Sequence, residues 1–183
     1  AIGYYGTSLS SEFTENSPGG KDFLSNLCKK WEAVAAEKPF FSRLVIFRIG
    51  IVLETDGGAL GKMLPIFKVG LGGPIGDGKQ WMSWIHRTDL CALIIQALVD
   101  KKYSGVFNAV APNPVLMKEF SQTLGKCLNR PNLLPVPGAV LKILLGDGAK
   151  VVLEGQKVIS SKLKNYNFKY PLLEKAIYAS TKN

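Results

Sequence analysis

Apolar residues fall along this chain in two kinds of pattern, and their alternation sets the fold class. From Asp22 to Glu37, Leu24, Leu27, Cys28, Trp31, Val34 and Ala35 share one stripe, with Lys29, Lys30, Glu32 and Glu37 largely outside it. That is the period of an amphipathic helix, with Asp22 as N-cap and Pro39 blocking continuation. Arg43 to Leu53 (Arg-Leu-Val-Ile-Phe-Arg-Ile-Gly-Ile-Val-Leu) is instead nearly continuous apolar sequence with β-branched content. Such a run marks a strand covered on both faces, as in a parallel sheet. Helix followed by buried strand is the αβ half of a βαβ unit.

The alternation continues downstream. Glu54 to Gly58 reads as a turn and Ala59 to Val69 as a helix disturbed by Pro65. Leu90 to Leu98 is a predicted helix capped by Thr88-Asp89, Val106 to Val110 a strand, and Met117 to Leu128 a helix burying Phe120, Leu124, Cys127 and Leu128. At the start, Ala1 to Gly6 reads as a strand end turning into a loop, and Thr7 to Gly20 as polar loop with Glu12, Glu15 and Pro18-Gly19-Gly20 as breakers. The texture changes at Arg130, where Pro131, Pro135, Pro137 and Gly138 form a linker-like stretch. Apolar helical segments follow at Ala139 to Leu145, Ala149 to Leu153 and Leu172 to Ala179. The pattern predicts an α/β portion over residues 1–130 and a small, mainly helical C-terminal unit over 131–183.

Composition narrows this only a little. The 183 residues are 46% apolar and 20% charged, an ordinary globular profile, and suit one medium domain with an appendage. No apolar stretch reaches the roughly 18 residues of a membrane helix. Cys28, Cys91 and Cys127 are widely spaced in apolar helical patterns and read as core thiols of a reducing compartment. The first residues carry no initiating Met and no secretory signal, and look like the end of a strand from a longer chain. The net charge is +9, with seven lysines between Lys150 and Asn183. These are scattered among apolar residues without an arginine cluster. They read as a solvated face, or as a dock for an acidic partner, and not as a nucleic-acid stripe.

Gly70 to Asp89 concentrates the unusual chemistry. Six glycines or prolines in nine residues precede Trp81, Trp84 and His86, the single histidine. This loop precedes tryptophans instead of a helix N-terminus, so it is not a dinucleotide-type phosphate turn. The chain has no Gly-x-Ser-x-Gly elbow, no paired-cysteine spacing and no His-x-x-x-His, so no metal site is expected, and any Ser-His-Asp triad would have to use His86.

Taken in order, Ala1-Ile-Gly-Tyr-Tyr-Gly6, Asp22-Phe-Leu24, Trp31-Glu32, Arg48-Ile-Gly-Ile-Val-Leu53, Gly57-Gly-Ala-Leu60, Trp81-Met-Ser-Trp-Ile-His86 and Asn108-Ala-Val-Ala-Pro-Asn-Pro114 carry a resemblance. The chain resembles the sugar-nucleotide epimerase-like proteins of the atypical extended short-chain dehydrogenase/reductase superfamily. The subgroup ends in a short domain of unknown function, which Leu134-Pro-Val-Pro137 to Tyr178 resembles. Trp81 to His86 is its most specific piece.

The resemblance implies the later part of a Rossmann-type domain, a bound NADP or NAD, and a Gly-rich pyrophosphate turn outside these residues. It implies cofactor contacts at Ile2, Gly3 and Tyr4 and at Arg48, Ile49, Gly50, Ile51 and Val52. Extended members use a Tyr-x-x-x-Lys pair whose lysine lowers the tyrosine pKa for proton transfer. Those positions fall at or next to Leu24 and Cys28, neither of which does that work. Tyr5 and His86 are the remaining acid/base candidates, and Trp81 and Trp84 candidate walls of a substrate cleft. Each has a structural alternative: a hydrogen-bonded buried tyrosine, a helix-capping histidine and packed indoles.

Two functions follow. One is an NAD(P)-dependent epimerase, dehydratase or reductase with unorthodox acid/base groups and an unassigned small-molecule substrate. The other is a nucleotide-binding scaffold or sensor without turnover, docking a protein partner through the basic C-terminal unit in cell or organelle division or complex assembly. Cytoplasm, plastid stroma and mitochondrial matrix all suit the thiols.

Overall fold

The computed structural model describes residues 1–37, 43–132 and 154–182. Pro39 and the predicted helices at Ala139 to Leu145 and Ala149 to Leu153 lie outside the described residues. The chain opens with a 3-10 turn at Ile2–Tyr5, where the sequence suggested a strand end. A two-residue strand β1 (Glu12–Phe13) interrupts the following loop, and helix α1 spans Phe23–Ala36. Asp22 caps α1 as expected, its carboxylate accepting the Ser25 N–H.

The predicted buried strand is two strands, β2 (Val45–Ile49) and β3 (Ile51–Leu53), parted at Gly50. Helix α2 (Gly58–Lys68) carries Pro65 inside it, and β4 (Trp81–Met82) and β5 (Trp84–His86) follow the glycine-rich loop. Then come α3 (Arg87–Val99), β6 (Gly105–Ala109), β7 (Val115–Leu116) and α4 (Met117–Cys127). The described C-terminal residues add β8 (Lys157–Val158) and α5 (Leu173–Thr181). Strand β2 pairs parallel with β6, β3 with β5 and β1 with β8, while β4 and β7 pair antiparallel. Parallel strands joined through helices make this an α/β fold of Rossmann type.

The two faces of the β2–β6 pair differ in chemistry. One presents Phe47, Ile49, Phe107 and Ala109 to Leu90 and Leu93 of α3. The other carries Arg48 beside Asn108, in register and on the same side. A separate, larger core joins α2, β4, β5, α4 and α5 through Leu60, Phe67, Trp84, Phe120, Leu124 and Ile177. Burying each of these large side chains is worth about 1.5–3 kcal/mol. The described C-terminal residues share these cores: Ile177 lies in the α2–α4 core, Leu163 under β6 and Val158 against Tyr5.

Two expectations need correcting. The α1 stripe is not a core stripe here: Cys28 is buried, but Leu24, Trp31 and Val34 are 40%, 60% and 58% exposed. The helix meets the rest of the described chain through Ser25, Cys28 and Glu32, which turns the remainder of the stripe outward. The cap of α3 is also not Thr88-Asp89. The helix begins one turn earlier, with His86 as N-cap.

The glycine-rich loop is a packed corner. A Cβ on Gly72 would fall 2.3 Å from the Phe67 ring, while Gly70, Gly76 and Gly78 adopt positive φ. Ile75 is buried at its centre and its carbonyl accepts the Gln80 side-chain amide.

Candidate functional site

Parallel α/β folds place their ligand sites at the carboxyl ends of the strands, and here those ends separate at Gly50. Up to that point β2 runs beside β6, and the Gly50 N–H still donates to Ala109 O at 3.1 Å. One residue later the Ile51 N–H turns to Ser83 O at 2.9 Å, and the Ala111 N–H meets Trp84 O on the other side of β5. Strand β5 thus enters between the two diverging chains. Only glycine fits the branch point: a Cβ would lie 2.6 Å from Ser83 O and 2.9 Å from Val110 Cγ1.

Residues 155–159 cross this opening. The Gln156 side-chain amide donates to Ile2 O at 3.0 Å, Ser83 Oγ donates to Gln156 O at 2.9 Å, and the Val158 N–H donates back to Ser83 Oγ. The 3-10 turn, the branch point and the C-terminal segment therefore meet around one spot. Ile2, Gly50 and Ile51 meet Gln156 or Ser83 here, whereas Val52 packs in the core with Ile85 and Leu93.

Behind it lies a buried polar chain. Arg48, 4% exposed, forms a two-point pair with Glu32 of α1, Nε to Oε1 at 2.8 Å and Nη2 to Oε2 at 2.7 Å. Its guanidinium lies 3.3 Å from the Tyr4 ring centroid, and Nη1 donates to the Tyr5 hydroxyl at 2.9 Å. That hydroxyl donates in turn to Asn108 Oδ1 at 2.6 Å. Burial works against the Arg48 charge, but the bonds to Glu32 and Tyr5 outweigh it and hold the pKa above the usual range. Burial raises the Tyr5 hydroxyl more than the Arg48 cation lowers it, so the phenol stays protonated.

Asn108 extends the chain to the C-terminal segment. Its side-chain amide donates to Ile159 O, and its N–H donates to Glu15 Oε1 at 3.0 Å. Glu15 also accepts from the Ser160 hydroxyl, and from the Ser161 N–H and hydroxyl at 2.8 Å each. Burial would raise this carboxyl, but the donors prevail and hold it below the ordinary carboxylate range.

His86 ends β5 and starts α3. Its Nδ1 accepts the Thr88 N–H at 3.1 Å, which leaves the proton of the neutral ring on Nε2. The ring centroid lies 4.1 Å from that of Tyr170, and desolvation lowers the imidazole pKa. Three residues on, Asp89 accepts the Lys169 and Tyr170 N–H groups at 2.7 and 3.0 Å and clamps that segment over the histidine.

The candidates thus separate by surroundings. Tyr5 and Arg48 have their polar groups engaged with each other and with Asn108 and Glu32, so what Arg48 offers a ligand is its place in the strand, not a free guanidinium. Trp84, expected as a cleft wall, is fully buried in the α2–α4 core with Nε1 donating to Asn113 O. That expectation is corrected, because no face of the indole is open. Trp81 is half-buried, its Nε1 on Leu9 O and the Lys157 ammonium 5.0 Å from its ring. Leu24 and Cys28 face the backbone of Gly3, whose added Cβ would stand 3.7 Å from Leu24 Cβ and 4.0 Å from Cys28 Sγ.

Sequence reasoning missed Glu15, Glu32, Asn108 and the carboxylate of Asp89. Asn108 had a signal, as a polar residue inside the apolar strand Val106 to Val110; Glu15 had none.

A family profile described as a domain of unknown function (DUF1731) matches residues 136–179. The epimerase family protein SDR39U1 homolog, chloroplastic, of Arabidopsis thaliana is 51% identical over 98% of this chain and 52% of its own length. Epimerase family protein SDR39U1 of Homo sapiens is 44% identical over 96% of this chain and 61% of its own. Over the part it spans, the chain is similar to these epimerase family proteins. The crystal structure of the human protein (isoform 2) with NADPH superposes with a TM-score of 0.90 over 98% of this chain and 62% of that one. UDP-N-acetylglucosamine 4-epimerase from Bacillus cereus, at 16% identity, shares the fold with a TM-score of 0.72. The chain therefore spans about half to three-fifths of the length of the relatives it matches. Among the described residues no helix is long and apolar enough to cross a membrane.

Proposed function

We propose that this chain forms part of an NADP(H)-binding, epimerase-like protein acting on an unassigned small molecule. Its contribution is the strand-end wall against which the nicotinamide lies. The observation that carries this reading is the Gly50 branch point, where two strands diverge at their carboxyl ends beside the Ile2–Tyr5 turn. The likeness to an NADPH-bound relative at 44% identity supports it. In this reading the pyrophosphate turn lies outside the 183 residues, and the fold divides near residue 130 into a Rossmann-type portion and a C-terminal unit. The cofactor is met mainly by backbone and apolar groups of Ile2 to Tyr4 and Ile49 to Val52, with Arg48 holding Tyr4 and Tyr5 from behind. Titrating the intact polypeptide with NADPH and NADH by fluorescence tests this; absence of saturable binding of either overturns it.

A specific observation favours a second reading, a nucleotide-binding scaffold or sensor without turnover. The Tyr5 hydroxyl is engaged at both ends, and by the resemblance the usual Tyr-x-x-x-Lys positions fall at or next to Leu24 and Cys28. His86 Nε2 is then the proton-carrying group left for the first reading. Product analysis with NADP+ and NADPH across carbonyl and hydroxyl substrates separates the two: turnover abolished by His86→Gln with NADPH affinity retained supports catalysis. Tight NADPH binding without turnover supports the scaffold. A plastid setting is taken from the Arabidopsis relative's name alone.

A further inference from the structure

A cleft of about 680 Å³ opens beneath the C-terminal end of α3, between β6 and residues 162–167. Small-ligand sites span roughly 300–1,000 Å³. The cleft lies beside Asp100, where α3 ends, and the start of β6 at Gly105. The Gly50 branch point is beside Ala109, at the other end of the same strand, so the two sites are separate.

The lining falls into three chemical groups. Half-buried Tyr103 and Tyr166 supply aromatic surface above the buried Phe107 ring, whose centroid lies 5.2 Å from that of Tyr103. Lys102 and Lys162 supply positive charge, and the Lys162 ammonium stands 4.9 Å from the Phe107 ring centroid. Among the described residues neither lysine is paired with a carboxylate. Gln96, Asn165 and Asn167 supply side-chain amides that bond to no described residue. Burial raises the pKa of both tyrosines, so their hydroxyls remain donors.

We propose that this cleft binds a nucleoside monophosphate, independently of the nicotinamide cofactor. An aromatic floor accepts the face of any flat ring. Three amides offering both donors and acceptors match the edge of a heterocycle, where a hydrocarbon would leave them unpaired. Two lysines set against the one carboxylate of Asp100 leave a single net positive charge, which suits one phosphate better than a polyphosphate.

The test is calorimetric titration of the intact polypeptide with AMP and UMP, with saturating NADPH present to occupy the strand-end crevice. Adenosine, uridine and inorganic phosphate are run alongside. A monophosphate should bind one-to-one and more tightly than its nucleoside or phosphate. The double variant Lys102→Ala/Lys162→Ala, both at exposed positions, should weaken it roughly tenfold or more, as expected for loss of charge-assisted bonds. The same variant should leave nucleoside and NADPH affinity unchanged. Tyr166→Ala should weaken nucleoside and monophosphate together; if that variant melts early, Asn165→Ala/Asn167→Ala serves instead. Absence of saturable monophosphate binding, phosphate binding as tightly as AMP, or indifference to the lysine substitutions each overturns the proposal. A polypeptide that fails to bind NADPH is titrated without it, and the lysine dependence then decides this cleft alone.

Discussion

Replacing Glu15 by alanine should destabilise the fold by about 2–3 kcal/mol, because one buried and one half-buried N–H donor lose a charged acceptor, at a cost of about 1–3 kcal/mol for an unsatisfied buried donor and less for the half-buried one. Those donors are the N–H of Asn108, which is fully buried, and the N–H of Ser161. The hydroxyls of Ser160 and Ser161 are half-buried and turn to water at lower cost. Glu15→Gln preserves volume and one acceptor but points an amide at donors, and should cost about 1–2 kcal/mol. Urea unfolding of the intact polypeptide, followed by tryptophan fluorescence and circular dichroism, measures both; unchanged m-values license the comparison. The pH dependence supplies the sign. The folded carboxyl is held below its unfolded value, so its contribution is complete above the unfolded pKa of about 4.3 and is lost as pH falls through the folded value. The gap between the natural protein and Glu15→Gln should therefore be widest near neutrality and close on acidification. An alanine variant within about 0.5 kcal/mol of the parent, the range of an ordinary surface change, would refute the reasoning, as would a gap that widens in acid.

Three further outcomes follow from the same geometry. Glu32→Ala strands the buried Arg48 guanidinium and should cost about 3 kcal/mol in urea unfolding, whereas an exposed pair would cost under about 1 kcal/mol. Gly50→Ala forces a methyl to 2.6 Å from Ser83 O and should cost about 2 kcal/mol while raising the NADPH Kd; unchanged affinity would place the cofactor elsewhere. His86 has a folded-state pKa depressed by desolvation, so its contribution is complete above about 6.5 and falls as pH drops through the folded value. The Tm of the parent should fall between pH 7 and 5 more steeply than that of His86→Gln; parallel profiles would remove the histidine from that pH response.

Asp22 to Glu37, Arg43 to Leu53 and Met117 to Leu128 were legible as helix, strand and helix because a 3.6-residue period or a continuous apolar run marks the element type, although neither the exposure of the α1 stripe nor the break at Gly50 could be read from it. The glycine loop was legible as special but not in kind. Its glycines serve the Phe67 ring and three positive-φ turns, which only the packed coordinates reveal. His86 was legible as a candidate, and the Thr88 N–H decided that one of its nitrogens serves the helix.

Local pattern by itself determined the order of helices α1 to α5 and of the long strands at β2–β3 and β6, because apolar periodicity depends on each element's own geometry. The resemblance, not the pattern, implies that the usual Tyr-x-x-x-Lys positions fall at or next to Leu24 and Cys28. Only the tertiary structure decided which polar residues meet. Glu15 reaches Asn108 and Ser161 across 93 and 146 residues, and Tyr5 reaches Asn108 across 103. Such pairs leave no periodic trace, because a buried hydrogen bond constrains two side chains in space and nothing between them in the chain. The same holds for the branch at Gly50: an apolar run announces a covered strand, but which neighbour covers each half is settled only when β5 comes between β3 and the chain beyond β6.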